Sequence, residues 1–190
     1  MNDKIKFPRA EAIVVARELC AALQPVTDRL IVAGSLRRRK QEVGDVEILF
    51  VPKIEMVKPA DDFFAAPQPV SMVASLLDRL VASGSLAKRL TVMGSETWGP
   101  KNKLAVHIPS GIPVDFFAAT ETNWFNYLVC RTGSAESNMR IASAAQARRW
   151  KWNPYGDGFT DERGALVRVS SEKDVFTYVG LPFLQPWQRI

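Results

Sequence analysis

Two carboxylates in the first third of the chain have the spacing of a metal site. The side chains from Asp45 to Phe50 alternate between two faces if this segment is a strand, so Asp45 and Glu47 share one face. Two negative charges at this spacing repel each other unless a counter-charge lies between them. A divalent cation such as Mg²⁺ is the natural counter-charge, because hard cations prefer carboxylate oxygens. The pair therefore predicts a metal site.

A turn just before this strand has the composition of an anion site. The apolar run at 31–33 predicts a short strand that stops at Gly34, and Ser35 is a suitable N-cap for a short helix through Arg38. Ser35 and Arg38 are three residues apart and would share a helix face beside free backbone N–H groups. A phosphate could bind there. A phosphate site beside a carboxylate pair predicts metal-assisted phosphoryl or nucleotidyl transfer.

A third acid lies in an apolar strand later in the chain. The segments 104–108 and 112–118 predict a hairpin around the turn Ser110-Gly111. Asp115 lies in the second strand, in the run IPVDFF. Burial of an unpaired carboxylate is unfavourable, and a metal ion shared with Asp45 and Glu47 would remove that penalty.

The composition is that of a globular protein with a basic balance. The 190 residues are 47% hydrophobic and 24% charged, and 25 Lys+Arg against 20 Asp+Glu give a net charge of +5. This balance favours a polyanionic partner such as nucleic acid. Cys20 and Cys130 are interpreted as free thiols, and the single histidine argues against hydrolase triads. No signal peptide or membrane span is predicted, so we expect a cytoplasmic protein associated with nucleic acid.

Together these segments resemble a known signature. Gly34-Ser35 followed by Gly44-Asp45-x-Glu47 resembles the nucleotidyltransferase motif, and the position of Arg38 is most similar to that in the DNA polymerase X family, the polymerase beta type. Thr132-Gly133-Ser134 with Asn138 breaks one predicted helix (122–131) and caps the next (135–149). The same T-G-S-x-x-x-N pattern resembles the nucleotide pocket of that family. Similar segments at 153–156 and in the C-terminal tail extend the resemblance from about residue 8 to residue 190.

The resemblance implies a fold and a set of site residues. The expected fold class is α+β, with a nucleotidyltransferase palm of mixed sheet and helices at 1–119 and a smaller, mainly helical C-terminal nucleotide- and template-binding subdomain at 120–190. The implied catalytic residues and metal ligands are Asp45, Glu47 and Asp115, which would hold two Mg²⁺ ions. The implied nucleotide-binding residues are Gly34, Ser35, Arg38, Thr132, Gly133, Ser134 and Asn138. The implied DNA-binding residues are Arg140, Arg148, Arg149, Lys151 and Tyr155, with Trp150 and Trp152 available to stack on a base or sugar.

The implied activity is that of a DNA-directed DNA polymerase. It would add a dNTP to a primer 3′-hydroxyl by two-metal-ion catalysis. The expected partner is gapped or nicked primer-template DNA, bound by a monomer that does not associate with membranes. The chain resembles a minimal form of the family, with only a palm and a C-terminal subdomain. We therefore expect short-gap filling or repair synthesis, and a viral or mobile-element source.

Two positions depart from the family pattern and keep other functions open. Glu47 stands where the family usually has Asp, which predicts altered metal geometry and use of Mn²⁺. Cys130-Arg131 stands where an aromatic pair often screens the sugar 2′-hydroxyl, which leaves selection between dNTP and rNTP open. One alternative is a nucleotidyltransferase that acts on a small molecule, an RNA end or a protein. Another is a catalytically silent nucleic-acid-binding module.

Overall fold

Two groups of elements follow each other along the chain. The computed structural model describes residues 5–58, 64–91 and 93–189. The helices are α1 (Arg9–Leu23), α2 (Gly34–Arg37), α3 (Met72–Ala82), α4 (Trp124–Thr132), α5 (Ala135–Ala147) and α6 (Glu172–Thr177), with 3₁₀ turns at Gln24–Val26 and Pro186–Gln188. The strands are β1 (Phe7–Pro8), β2 (Thr27–Val32), β3 (Glu42–Val43), β4 (Val46–Pro52), β5 (Ile54–Val57), β6 (Gln68–Ser71), β7 (Leu86–Lys88), β8 (Asn102–His107), β9 (Ile112–Ala118), β10 (Lys151–Asn153), β11 (Gly158–Thr160) and β12 (Leu166–Arg168).

A five-stranded mixed sheet organises the first group. Its strand order is β2-β4-β9-β8-β7. The central strands β4 and β9 run parallel, and every other neighbouring pair is antiparallel. The register between β4 and β9 places Glu47 opposite Asp115. The sheet therefore brings together two of the predicted metal ligands, which are far apart in sequence.

The two faces of the sheet pack against different helices. Val46, Ile48 and Phe50 lie in a core with residues of α1 and α3, as their predicted alternation requires. On the other face, Leu49 and Phe117 pack with residues of α4. Mixed strands with helices on both faces confirm the predicted α+β class. The same arrangement points the acids of β4 and β9 away from the α1–α3 core.

The second group has its own core. Helices α4, α5 and α6 supply apolar side chains to it, and the antiparallel sheet β10-β11-β12 adds Trp152 and Phe159. Gly158 allows close strand contact, because an added Cβ would lie 2.2 Å from the Val167 carbonyl oxygen. Trp150 packs against this core, and Trp152 Nε1 donates to Asn126 Oδ1. Trp152 is therefore a core residue that stabilises the C-terminal fold, so its interpretation as a stacking surface for nucleic acid is wrong. Trp150 is half-buried, and its role in stacking stays a prediction.

Some element boundaries differ from the sequence-based expectation. β2 starts at Thr27, not at residue 31, because its ladder with β4 continues to the pair Thr27 and Pro52. A further strand, β7, precedes the hairpin that was predicted at 104–118, and Arg89 directly follows its end. None of the helices in the described ranges is long and apolar enough to cross a membrane.

Candidate active site

The acids on the two central strands interact strongly. Glu47 and Asp115 are cross-strand partners on β4 and β9, and Asp45 lies directly before β4. Burial and then the charge of Asp45 raise the pKa of Glu47 to about 8, and the charge of Asp115 acts in the same direction. The Arg131 and Arg38 guanidiniums oppose this shift only in part. The three acids therefore form an undercompensated negative cluster.

The donor chemistry of this cluster fits a hard divalent cation. Asp45, Glu47 and Asp115 offer only carboxylate oxygens, which are the ligands that Mg²⁺ and Mn²⁺ accept. Burial is the main cause of the raised pKa of Glu47, and a cation would counter the second cause, which is repulsion from Asp45 and Asp115. Within residues 5–58, 64–91 and 93–189, no three Asp, Glu, His or Cys side chains are already gathered as a metal-binding group. Asp115 instead faces an arginine.

That arginine is Arg89, which the sequence-based prediction missed. Arg89 Nη2 donates to Asp115 Oδ1 at 2.5 Å, and the two side chains are 30% and 16% exposed. Burial raises the pKa of Asp115, while the charge and hydrogen bond of Arg89 act against the rise. An ion pair thus accounts in part for an acid in an apolar strand. No local sequence pattern marks Arg89 as the partner of Asp115, because the pairing depends on the register of β7, β8 and β9.

Gly34 allows the Glu47 carboxylate to lie against the backbone turn. Its φ is +60°, and an added Cβ would lie 2.7 Å from Glu47 Oε1. The helix α2 begins at Gly34 with Ala33 as its N-cap, so the prediction of Ser35 as N-cap is wrong. The reason is that the first helical hydrogen bond is accepted by the Ala33 carbonyl. Ser35 Oγ is buried and has no hydrogen-bond partner in the described part of the chain.

The last residue of α2, Arg37, contacts the C-terminal group of elements. Arg37 donates to Thr132 Oγ1 at 2.7 Å and binds both carboxylate oxygens of Glu172, at 2.5 and 2.9 Å. Arg189 binds the same carboxylate at 3.0 Å. Burial alone would raise the pKa of Glu172, but its hydrogen bonds and charge interactions with these arginines hold it below its usual value. Glu172 therefore connects the two groups of elements.

We expect Arg37→Ala to destabilise the protein. The Arg37 and Glu172 side chains are only 17% and 16% exposed, and the substitution leaves the carboxylate without its two-point partner. The free energy of unfolding should fall by about 2–3 kcal/mol. Urea titration would measure it, with the exposed Arg17 on α1 mutated to Ala as the matched control. Equal small changes in both variants would contradict this assignment.

Arg38 and the Thr132–Asn138 segment meet. Arg38 Nη1 donates to the Thr132 carbonyl oxygen, and an added Cβ on Gly133 would lie 3.0 Å from that nitrogen. Ser134 caps α5 by accepting from the Ser137 backbone N–H, as the helix prediction required. Asn138 Nδ2 donates to the Cys130 carbonyl oxygen at 2.9 Å. The structure thus brings the two predicted nucleotide-binding segments into contact.

Arg131 lies in an aromatic setting beside the acids. Its guanidinium carbon is 3.6 Å from the centroid of the Phe117 ring, and 5.3 and 5.2 Å from those of Tyr127 and Tyr155. It borders a cavity of about 680 Å³. The other lining residues include Pro100, Lys101, Asn102, Thr120, Asn123 and Asp157. The cavity is large enough for a nucleotide-sized ligand.

The predicted DNA-binding side chains lie on the surface of the second group. The cationic ones are all exposed: Arg140 lies in the middle of α5, Arg148 and Arg149 directly follow this helix, and Lys151 begins β10. Tyr155 is 60% exposed and packs edge-on against Tyr127 at a centroid distance of 5.5 Å. These positions are accessible to a polyanion, and Tyr155 also borders the cavity beside Arg131.

The high pKa of Glu47 predicts a pH-dependent stability. Between its ordinary value of 4.5 and about 8, the folded protein keeps a proton that the unfolded chain releases. The free energy of unfolding should therefore fall as pH rises, by at most about 1.4 kcal/mol per pH unit. Glu47→Gln should flatten this slope in chelator-treated protein, whereas Glu55→Gln, at an exposed position of β5, should leave it unchanged. Urea titrations from pH 5.5 to 8 would measure it, and identical slopes would contradict the burial of Glu47.

The chain matches two family models. The one described as DNA polymerase beta palm matches residues 6–106, and the one described as DNA polymerase beta thumb matches residues 127–190. A curated relative, the DNA polymerase/3'-5' exonuclease PolX of Bacillus subtilis (strain 168), is 26% identical over 183 residues. That match covers 95% of this chain and 28% of the relative, so the chain spans less than a third of the relative's length.

Solved structures share the fold. The ternary P/T complex of Leishmania infantum polymerase beta aligns with a TM-score of 0.71 at 20% identity, over 98% of this chain and 77% of that chain. The ternary gap complex of the same polymerase aligns with the same score and identity, over 97% and 71%. Because the palm model alone matches more than half of the 190 residues, the chain belongs to the DNA polymerase beta family, the family X nucleotidyltransferases, as its motifs predicted.

Proposed function

We propose that this chain adds a dNTP to a primer 3′-hydroxyl opposite a template base, in short gaps of duplex DNA. The observation that carries the proposal is the pairing of Glu47 with Asp115 on parallel strands, with Asp45 and the Gly34 turn beside them. Nucleotidyl transfer needs charge stabilisation and alignment more than covalent chemistry from the protein. The carboxylates can bind the cations that stabilise charge, and the polar groups of the adjacent Gly34 turn can align the triphosphate.

The acids would hold the cations of the reaction. Polymerases of this family generally use divalent metals. Asp45, Glu47 and Asp115 would hold two such ions, which when bound supply activation of the 3′-hydroxyl and charge stabilisation on the triphosphate and the departing pyrophosphate. In the reaction, the 3′ oxygen loses its proton and forms a bond to the α-phosphorus. The bond between the α-phosphorus and the oxygen that bridges to the β-phosphorus breaks, and pyrophosphate leaves. Glu47 and Asp115 are both half-buried, which limits the access of water to these carboxylates.

The Gly34 turn would bind the triphosphate. Ser35 Oγ and Arg38 Nε are both buried without partners among the described residues, so each can interact with a phosphate oxygen. Arg38 now binds the Thr132 carbonyl oxygen, and a phosphate would compete with that weaker, neutral acceptor. Phosphate binding at Arg38 would thereby break or weaken its hydrogen bond to Thr132, the first residue of the second nucleotide-binding segment.

The Thr132–Asn138 segment and the basic surface would seat the remaining substrate groups. Asn138 Oδ1 is buried without a partner in the described residues, while its Nδ2 is fixed by the Cys130 carbonyl oxygen. The amide is therefore oriented with a free acceptor, as contact with a nucleotide requires. Arg140, Arg148, Arg149, Lys151 and Tyr155 would contact the DNA backbone and template, with an affinity that falls steeply with salt.

Primer extension on a one-nucleotide gap tests the proposal. Each dNTP is supplied singly with Mg²⁺ or Mn²⁺ on four duplexes that differ only in the template base, beside an Asp45→Asn variant. We expect the wild type to add the complementary nucleotide and the variant to add none at the same enzyme concentration. Addition that ignores the template would instead indicate a terminal transferase. DNA binding without addition under either metal would indicate a silent binding module.

A further inference from the structure

A row of facing residues crosses four strands of the central sheet. Glu47 on β4 faces Asp115 on β9, and Asp115 faces Leu104 on β8. The antiparallel register of β7 and β8 continues one step beyond the pair Lys88 and Ala105, because the Arg89 N–H donates to the Leu104 carbonyl oxygen. Directly opposite residues in a sheet share a face. The backbone therefore directs Arg89 toward the acids from the edge of the sheet.

The contact between Arg89 and Asp115 is close but incomplete. Arg89 donates through Nη2 to a single carboxylate oxygen, Asp115 Oδ1. Arg89 Nε is buried and has no hydrogen-bond partner within the described ranges. The Arg89 side chain is also 30% exposed, about twice the exposure of Asp115. A one-point ion pair with a solvent-accessible guanidinium is easier to displace than a two-point pair such as Arg37 with Glu172.

Two positive groups can neutralise the Asp115 carboxylate: the Arg89 guanidinium and a divalent cation. That carboxylate is bound by Arg89, and the proposed reaction requires the same carboxylate as a ligand of a divalent cation. A guanidinium at 2.5 Å and a divalent cation in contact with the same oxygen would repel each other. Because Arg89 occupies only Oδ1, a cation could also bind Oδ2, but the two positive charges would still lie close together, and cation binding should therefore weaken the contact of the arginine.

We propose that Arg89 is a positioning residue that holds the Asp115 carboxylate in place and competes with the divalent cation for it. This inference rests on the proposed function. Arg89 keeps Asp115 charged and oriented before the cation arrives, and it lowers the affinity of the free enzyme for the cation. Metal loading would then depend on displacement of an arginine that comes from the end of β7.

Titration of the full chain with Mn²⁺ alone tests the competition. Free Mn²⁺ is measured by electron paramagnetic resonance at constant pH, without DNA or dNTP. Arg89→Ala and Arg89→Gln should bind Mn²⁺ more tightly than the wild type by roughly three- to tenfold. A purely structural role would weaken binding instead. Circular dichroism identifies any variant that does not fold, and the Gln variant retains most of the side-chain volume.

The neighbouring lysine provides the matched control. Lys88 pairs with Glu96 at 2.9 Å, with side chains 38% and 51% exposed, and as the adjacent strand residue it points to the opposite face. Lys88→Ala removes one positive charge from the same strand and should leave the Mn²⁺ affinity unchanged within about twofold. If Lys88→Ala and Arg89→Ala raised the Mn²⁺ affinity by similar factors, the loss of one positive charge would explain the effect, and the proposal would be overturned.

Measurements in an Asp115→Asn background separate direct competition for the Asp115 carboxylate from a general electrostatic effect of the Arg89 charge. With Asp115 neutral, additional removal of Arg89 should not change the weaker Mn²⁺ affinity. The same tightening in both backgrounds overturns the proposal, as does unchanged or weaker binding in both Arg89 variants or absence of Mn²⁺ binding altogether. The proposed function is judged separately: a wild type that fills gaps, with Arg89 variants that bind Mn²⁺ no more tightly, overturns only the inference on Arg89.

Discussion

Asp115→Asn should lower the single-turnover rate of nucleotide incorporation by at least about 1,000-fold. The substitution keeps the size of the side chain and removes the negative charge from the site where Glu47 and Asp115 face each other. It also leaves Arg89 without its anionic partner, so a positive charge remains where a cation must bind. The rate is measured by rapid quench on a one-nucleotide gap with saturating complementary dNTP.

A matched substitution in the same sheet controls for general effects of an Asp to Asn change. Asp28 is exposed on β2, and Asp28→Asn should retain a rate within about twofold of the wild type. DNA binding, measured separately by anisotropy, should persist in Asp115→Asn because the proposed DNA contacts lie on the second group of elements. A residual rate above one tenth of the wild type would remove Asp115 from the catalytic set.

Gly34→Ala should impair both activity and folding. An added Cβ would lie 2.7 Å from Glu47 Oε1, and the backbone has a φ of +60°, which side-chain-bearing residues rarely adopt. Either the turn or the Glu47 carboxylate must move. We expect the incorporation rate to fall by about 100-fold or more and the free energy of unfolding to fall by about 1–3 kcal/mol.

Gly44 offers the control for this substitution. It lies just before Asp45, and an added Cβ there would meet no atom within 4 Å. Gly44→Ala should therefore retain both the incorporation rate and the midpoint of urea unfolding. If Gly34→Ala were as active and stable as Gly44→Ala, the close approach of Glu47 to the turn would not be a property of the protein in solution.

The local sequence pattern was sufficient to predict the two strands that carry Glu47 and Asp115. Alternation around Glu47 and around Asp115 predicted which side chains share a face of the sheet. The structure confirms this for Val46, Ile48 and Phe50, which all point into the core with α1 and α3. This succeeded because strand periodicity depends on the backbone alone. The α+β class and family membership followed from the same strands and from the spacing of the Gly-Ser turn.

Contacts that depend on strand register or packing were beyond the sequence. The pairing of Arg89 with Asp115 requires β7, β8 and β9 to be aligned to the residue, and no local pattern encodes that alignment. Likewise, Arg37 could have been a phosphate ligand or a tertiary contact, and only the position of Glu172 distinguishes these. Trp152 carries an N–H that suits a binding surface, but Asn126 accepts it inside the core.

The crystal structure of a complex with one-nucleotide-gapped DNA and a non-hydrolysable dNTP would test the central claim most directly. We expect the triphosphate on the Gly34 turn, in contact with Ser35 and Arg38, and the α-phosphate next to Asp45, Glu47 and Asp115. Arg38 should have left the Thr132 carbonyl oxygen, which it binds now. A triphosphate bound away from the β4 and β9 acids, with Arg38 still on Thr132, would contradict the assignment of these acids as the catalytic centre.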